Sequence, residues 1–125
     1  AKFLGASIVN TYFGANSGRT AGQATEAYKN NIQPCLELAA KENITIVLEN
    51  EFDITGNDLT RRAELVVELL EQLDSPYFKL NFDPCNFYFA GEEPFPFAFK
   101  NILPSSGPPW RPRRGGRRRG SHLAR

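Results

Sequence analysis

Several residue types are scarce or missing in this chain of 125 residues, and each gap narrows what it can be. Methionine is absent even at position 1, so residues are expected to be missing from the start. The two cysteines, Cys35 and Cys85, make neither a disulfide framework nor a zinc-ligand pair, and a reduced, cytoplasmic setting is expected. No run approaches the ~20 apolar residues of a membrane-spanning helix. Ala1-Lys2-Phe3-Leu4 has no positive lead before an apolar stretch, so no signal peptide is visible. No G-x-G-x-x-G follows any candidate strand, which removes the main support for dinucleotide binding. The Gly14–Thr20 loop misses a phosphate-binding P-loop by one residue and by its lysine, and reads as a plain loop.

Acidic residues are missing from one end. Residues 1–104 hold fourteen acidic and eight basic side chains, a balance of −6. Residues 105–125 hold seven arginines and no acid, a balance of +7. The formal net charge of +1 therefore describes neither part.

Within 1–104 two hydrophobic periods alternate. Residues 2–9 are short, apolar and β-tolerant. Ala24, Tyr28, Ile32, Cys35, Leu36 and Ala39 recur at three- and four-residue steps and predict a helix over 24–42, with Pro34 kinking it or starting a fresh segment. The β-branched run 44–49 reads as a strand covered on both faces. Thr60 is a candidate N-cap for a second helix, whose stripe is Ala63, Val66, Val67, Leu70 and Leu73. Residues 77–83 read as the next strand, a loop follows, and a third helix is expected over 95–103. Strands alternating with helices imply an α/β fold with a parallel sheet and right-handed crossovers. An open doubly wound sheet and a slice of a (β/α)8 barrel both satisfy the pattern.

The chemistry is expected where the two clearest strands end. One ends in Glu49, followed by Asn50 and Glu51; the other in Asp83, followed by Pro84, Cys85 and Asn86. They lie one βα unit apart, so parallel neighbouring strands bring both carboxylates to one rim, where α/β barrels build active sites. Converging carboxylates repel unless a cation or a shared proton intervenes. Equally, either acid can cap the following loop by accepting backbone N–H groups.

Ile46-Val47-Leu48-Glu49-Asn50-Glu51, Thr60-Arg61-Arg62-Ala63-Glu64 and Phe78-Lys79-Leu80-Asn81-Phe82-Asp83-Pro84-Cys85-Asn86-Phe87 resemble the sugar isomerase/epimerase family, the xylose isomerase-like TIM barrels, related in fold to endonuclease IV. The resemblance covers roughly residues 1–104 and implies a partial (β/α)8 TIM barrel of about three βα units. It implies that Glu49 and Asp83 bind a divalent metal (Mn, Mg, Co or Zn). It also makes Glu49 an acid/base in proton transfer beside a metal-polarised oxygen, on a sugar or sugar-like substrate. Many relatives carry a histidine where Asn86 stands; an amide can still hydrogen-bond a sugar hydroxyl, so Asn86 is a candidate substrate contact. Glu51 is a second candidate there, with a solvated loop charge as its alternative. Lys79 either points into the barrel or snorkels as a structural lysine.

The family completes its metal site with a histidine on the next strand and a glutamate on the last. That histidine is due near the Arg/Gly/Pro-rich residues 105–125, where no β-run is present. The only histidine, His122, lies in a context unlike the family's and is not expected to ligate. The isolated chain is therefore expected to be inactive, with an open barrel prone to self-association. For the tail, three readings stand: a disordered segment binding nucleic-acid phosphates, with Trp110 stacking on bases; a solvated tail without a partner; or a reading-frame shift after about Leu103, which is favoured. Endonuclease IV-like nuclease activity and nucleic-acid binding through the tail are the alternative functions. The nuclease should show more histidine than this chain has.

Overall fold

A computed structural model describes residues 1–16, 18–52 and 59–104. Strands β1 (Ile8–Thr11), β2 (Thr45–Glu49) and β3 (Phe78–Asn81) alternate with helices α1 (Ala21–Glu42) and α2 (Ala63–Leu73); two short helices, α3 (Pro84–Phe89) and α4 (Phe99–Ile102), follow. The strands are parallel and lie in the order β1-β2-β3, with Val9 opposite Ile46 and Ile46 opposite Phe78.

One face of this sheet carries the core. Ile46, Leu48 and Phe78 are buried together with Ile32, Leu36 and Ala39 of α1, Ala63, Val66, Leu69 and Leu70 of α2, and Phe87, Ala98 and Ile102 beyond β3. Both crossover helices therefore lie on the same side of strands taken in sequence order. A doubly wound sheet distributes helices over two faces, so the arrangement is that of a barrel segment. The two-sided cover expected for β2 is not present among the described residues: its burial alternates, with Thr45, Val47 and Glu49 only half-buried. In a closed barrel the opposing strands would supply that second cover.

Local chemistry explains where the elements depart from expectation. The stretch 2–9 is not one strand, because Lys2–Leu4 forms a 3-10 turn ended by Gly5 at φ 68, and extended pairing starts only at Ile8. Helix α1 begins three residues early at a capping box: Thr20 Oγ1 accepts from Gln23 N at 3.3 Å, and Gln23 Oε1 accepts from Thr20 N at 3.0 Å. It runs through Pro34 to Glu42 as one helix. Thr60 does not cap α2. It is buried in a 3-10 turn, where its hydroxyl accepts from Glu51 N at 3.0 Å. The cap of α2 comes from 29 residues away, where both oxygens of Glu92 accept from Ala63 N at 3.1 and 3.2 Å. Arg62 pairs with the same carboxylate at 3.4 Å. The stretch after β3 is not all loop, since Asp83 and Pro84 supply the N-cap and first residue of α3. The expected helix over 95–103 is a wide turn, Pro94–Ala98, leading into the single turn of α4.

No described helix is long and apolar enough to cross a membrane. Both cysteines are free thiols exposed to solvent. The division at residue 104, His122 and Trp110 concern a tail that lies outside the described residues.

Candidate functional site

The carboxyl ends of β2 and β3 bring the candidate residues together. Glu49, the last residue of β2, lies opposite Asn81 on β3, and Asp83 follows two residues further along. Register places Asn10, Val47 and Lys79 in one row of the face opposite the core, and Glu49 and Asn81 in the next. That face is polar: two amides, a carboxylate and an ammonium surround Val47. Lys79 is half-buried and makes no ion pair among the described residues.

Two amides hold Glu49. Its Oε2 accepts from Asn10 Nδ2 at 2.7 Å and from Asn81 Nδ2 at 3.2 Å, so all three strands contribute to fixing one oxygen. No described residue hydrogen-bonds Oε1. Asp83 is held differently, by the start of α3: Oδ1 accepts from Cys85 N at 2.8 Å and Asn86 N at 3.3 Å, while Oδ2 has no donor among the described residues. The capping alternative is thus realised for Asp83, whereas among the described residues only side-chain amides donate to Glu49. Each carboxylate nevertheless keeps one oxygen uncommitted, which suits ligation through a single oxygen by a hard cation.

Between the carboxylates lies Asn50, fully buried. Its Nδ2 donates to Asp83 O at 2.8 Å and its Oδ1 accepts from Asp83 N at 2.7 Å. An amide side chain thereby continues the β2–β3 ladder one step past the last strand pair. Asn86 Nδ2 donates to Asn50 O at 2.7 Å, leaving Asn86 Oδ1 as the uncommitted end of that amide. Glu51 is half-buried, and its N–H bond to Thr60 ties the loop after β2 to the turn before α2. Among the described residues no group of three or more His, Cys, Asp or Glu side chains gathers to enclose a metal.

Asn10, Asn50 and Asn81 are contributors that the sequence pattern did not single out. Asn50 stood inside the Glu49-Asn50-Glu51 motif, and strand alternation from Glu49 turns it toward the core side, where a polar residue needs bonded partners. Asn10 carried no signal of its own, because its place beside Glu49 depends on the register of β1 against β2.

A resolved electrostatic perturbation lies elsewhere, at Tyr28. Burial pushes the phenol of Tyr28 up from 10.0 to about 12; the Thr11 side chain draws it back slightly and Cys35 adds to the rise. No described group reaches the buried hydroxyl in proper hydrogen-bond geometry, so Thr11 acts as a weak, poorly aligned partner. A groove of about 380 Å³ lined by Val9, Cys35, Leu38, Ile44 and Ile46 opens beside β1. It lies near the strand starts, away from Glu49 and Asp83.

Sequential parallel strands with helices on one face are the arrangement of a partial (β/α)8 barrel. The chain belongs to the xylose isomerase-like TIM barrel family, whose pattern matches residues 1–123. Among solved structures it is similar to the probable 3-DHS dehydratase AsbF, involved in petrobactin synthesis, from Bacillus anthracis. Identity is 26% and the TM-score 0.68, over 82% of this chain and 36% of that one. The chain thus spans about a third of that protein's length. No curated protein sequence matches it.

Proposed function

We propose that the chain is a segment of a divalent-metal-dependent isomerase or epimerase acting on a sugar or sugar-like polyol, and that it is inactive alone. The observation that carries this reading is the pair Glu49 and Asp83 at adjacent strand ends, each with one oxygen anchored and one uncommitted. Glu49 Oε1 and Asp83 Oδ2 are the atoms that would hold Mn, Mg, Co or Zn. Such an ion, when bound, polarises a carbonyl or hydroxyl oxygen of the substrate and stabilises the charge that develops there. Asn10 and Asn81 fix the orientation of the Glu49 carboxylate, which is the group that would accept or return a proton at the neighbouring carbon. Asn86 Oδ1 can accept from a substrate hydroxyl, and Glu51 is a second acid close to the same loop. Two ligands fill only part of a metal's shell, which is why turnover is not expected from this chain. A cytoplasmic setting fits this chemistry and the two free thiols.

Metal binding by the purified chain, with Glu49→Gln and Asp83→Asn beside it, tests the assignment. Weak Mn2+ binding that either substitution lowers about 10-fold or more, with no ketose epimerisation, is the expected result. Tight stoichiometric binding indifferent to both substitutions, or epimerisation by the chain alone, sinks it.

The similarity to a probable dehydratase favours a second reading, elimination of water from a polyol-like substrate. It shares the first step, proton removal beside a carbonyl, and differs in whether a hydroxyl then leaves. Product analysis of an intact barrel carrying this segment separates a ketose from an unsaturated ketone. For the basic tail the proposal is narrower: any nucleic-acid binding resides in residues 105–125 and disappears, with its salt dependence, when they are deleted. A frame shift is tested by the coding DNA, where another frame after codon 103 should encode an apolar strand with a histidine.

A further inference from the structure

Resting on the reading of Glu49 and Asp83 as metal ligands, we propose that Asn50 is the positioning residue that fixes these two carboxylates relative to each other. Asn50, Asp83 and Asn86 form a closed ring in which each side chain bonds the backbone of another member. The Asn50 amide bonds both N–H and C=O of Asp83. The Asp83 carboxylate accepts from Asn86 N, and the Asn86 amide donates to Asn50 O. Two bonds, one to the peptide unit before the Asp83 Cα and one to the unit after it, restrain the direction of its Cα–Cβ bond. The Oδ1 bonds then hold its rotamer and leave Oδ2 without a donor among the described residues. Glu49 is covalently joined to Asn50, so the ring ties the candidate ligand at the end of β2 to the one that follows β3, beyond the reach of the strand pairing, which ends at Glu49 and Asn81.

The side-chain chemistry is specific. Among short side chains only asparagine offers a donor and an acceptor spaced like those of a peptide. Aspartate has no donor near neutral pH, and leucine has neither group. Burying an amide gains little stability over an apolar residue of the same shape, so packing alone does not call for asparagine here. What the amide adds is orientation of the neighbouring carboxylate, the task that groups behind metal ligands perform.

The test is site-specific Mn2+ broadening of amide signals in the 15N-labelled 1–125 chain, with Asn50→Ala, Asn86→Ala, Glu49→Gln, Asp83→Asn and a core control, Ile46→Val. In the unsubstituted chain, Mn2+ should broaden Glu49, Asn50, Asp83 and Asn86 together. Asn50→Ala should need about 10- to 100-fold more Mn2+ for the same effect while keeping a folded spectrum, and Asn86→Ala a smaller excess. Ile46→Val should respond like the unsubstituted chain despite its lost methylene. If the unsubstituted chain shows no preferential broadening there, or Glu49→Gln and Asp83→Asn leave it unchanged, the metal reading itself fails. If those two abolish it but Asn50→Ala needs no more Mn2+, the positioning role fails while the metal reading stands. If Asn50→Ala does not fold, Asn86→Ala decides: an unchanged Mn2+ response overturns the proposal, and an increased requirement supports it.

Discussion

Tyr28 is the clearest case of a side chain whose environment works against one of its charge states. Its ring stacks on Phe13 with centroids 4.8 Å apart, while its hydroxyl is buried without a well-formed bond. Burial holds the folded-state phenol at about 12, above its ordinary value of 10.0. Below pH 10 both folded and unfolded chains keep the proton, and Tyr28 adds no pH dependence. Between about 10 and 12 the unfolded chain releases it first, so stability falls as pH rises. Tyr28→Phe should remove its share of that fall, on the order of 2 kcal/mol at the alkaline end. At neutral pH the same substitution should be neutral or stabilising by up to about 1 kcal/mol, because an ill-satisfied hydroxyl is lost. Urea midpoints at pH 8, 10 and 11 for both chains check the two expectations together. Equal alkaline slopes would contradict the assignment of the buried phenol.

At the scale of elements, α2 depends on a residue outside itself. Arg62 at its N-cap offers no capping side chain, and Glu92 takes the role from beyond α3. Its carboxylate also meets the positive end of the helix dipole, whereas the Arg62 pair is half open to water and adds little. Glu92→Gln should therefore cost about 0.5–1 kcal/mol and Glu92→Ala about 1–2 kcal/mol, read from thermal or urea unfolding. Arg62→Ala should cost less than either. Remote capping also shows where sequence reading stops. Strands β2 and β3 and helices α1 and α2 were legible because their apolar spacing is local, whereas the single short turn pair of α3, read as loop, is too brief to show a period. Glu92 and Asn10 were not, since their partners lie 29 and 39 residues away and no local period encodes the meeting. At the site, Glu49 and Asp83 were readable as strand-end acids. The amides that orient them became visible only once the register of three strands was fixed.

At the scale of the whole molecule, β1 and β3 each have one strand neighbour among the described residues, and apolar side chains such as Val9 and Leu38 stand partly exposed near β1. Unpaired parallel edges beside apolar surface favour association. The purified chain should show a concentration-dependent apparent mass in light scattering, shifting toward monomer on dilution; a constant monomeric mass at high concentration would remove this expectation. The ladder β1-β2-β3 has a further consequence, for the way the chain acquires its structure. Among the described residues each strand pairs with its neighbour in sequence across a single crossover helix, so neither of these two pairings must wait for a distant partner to be synthesised. The segment can therefore assemble in the order in which it leaves the ribosome, each unit serving as the template for the next.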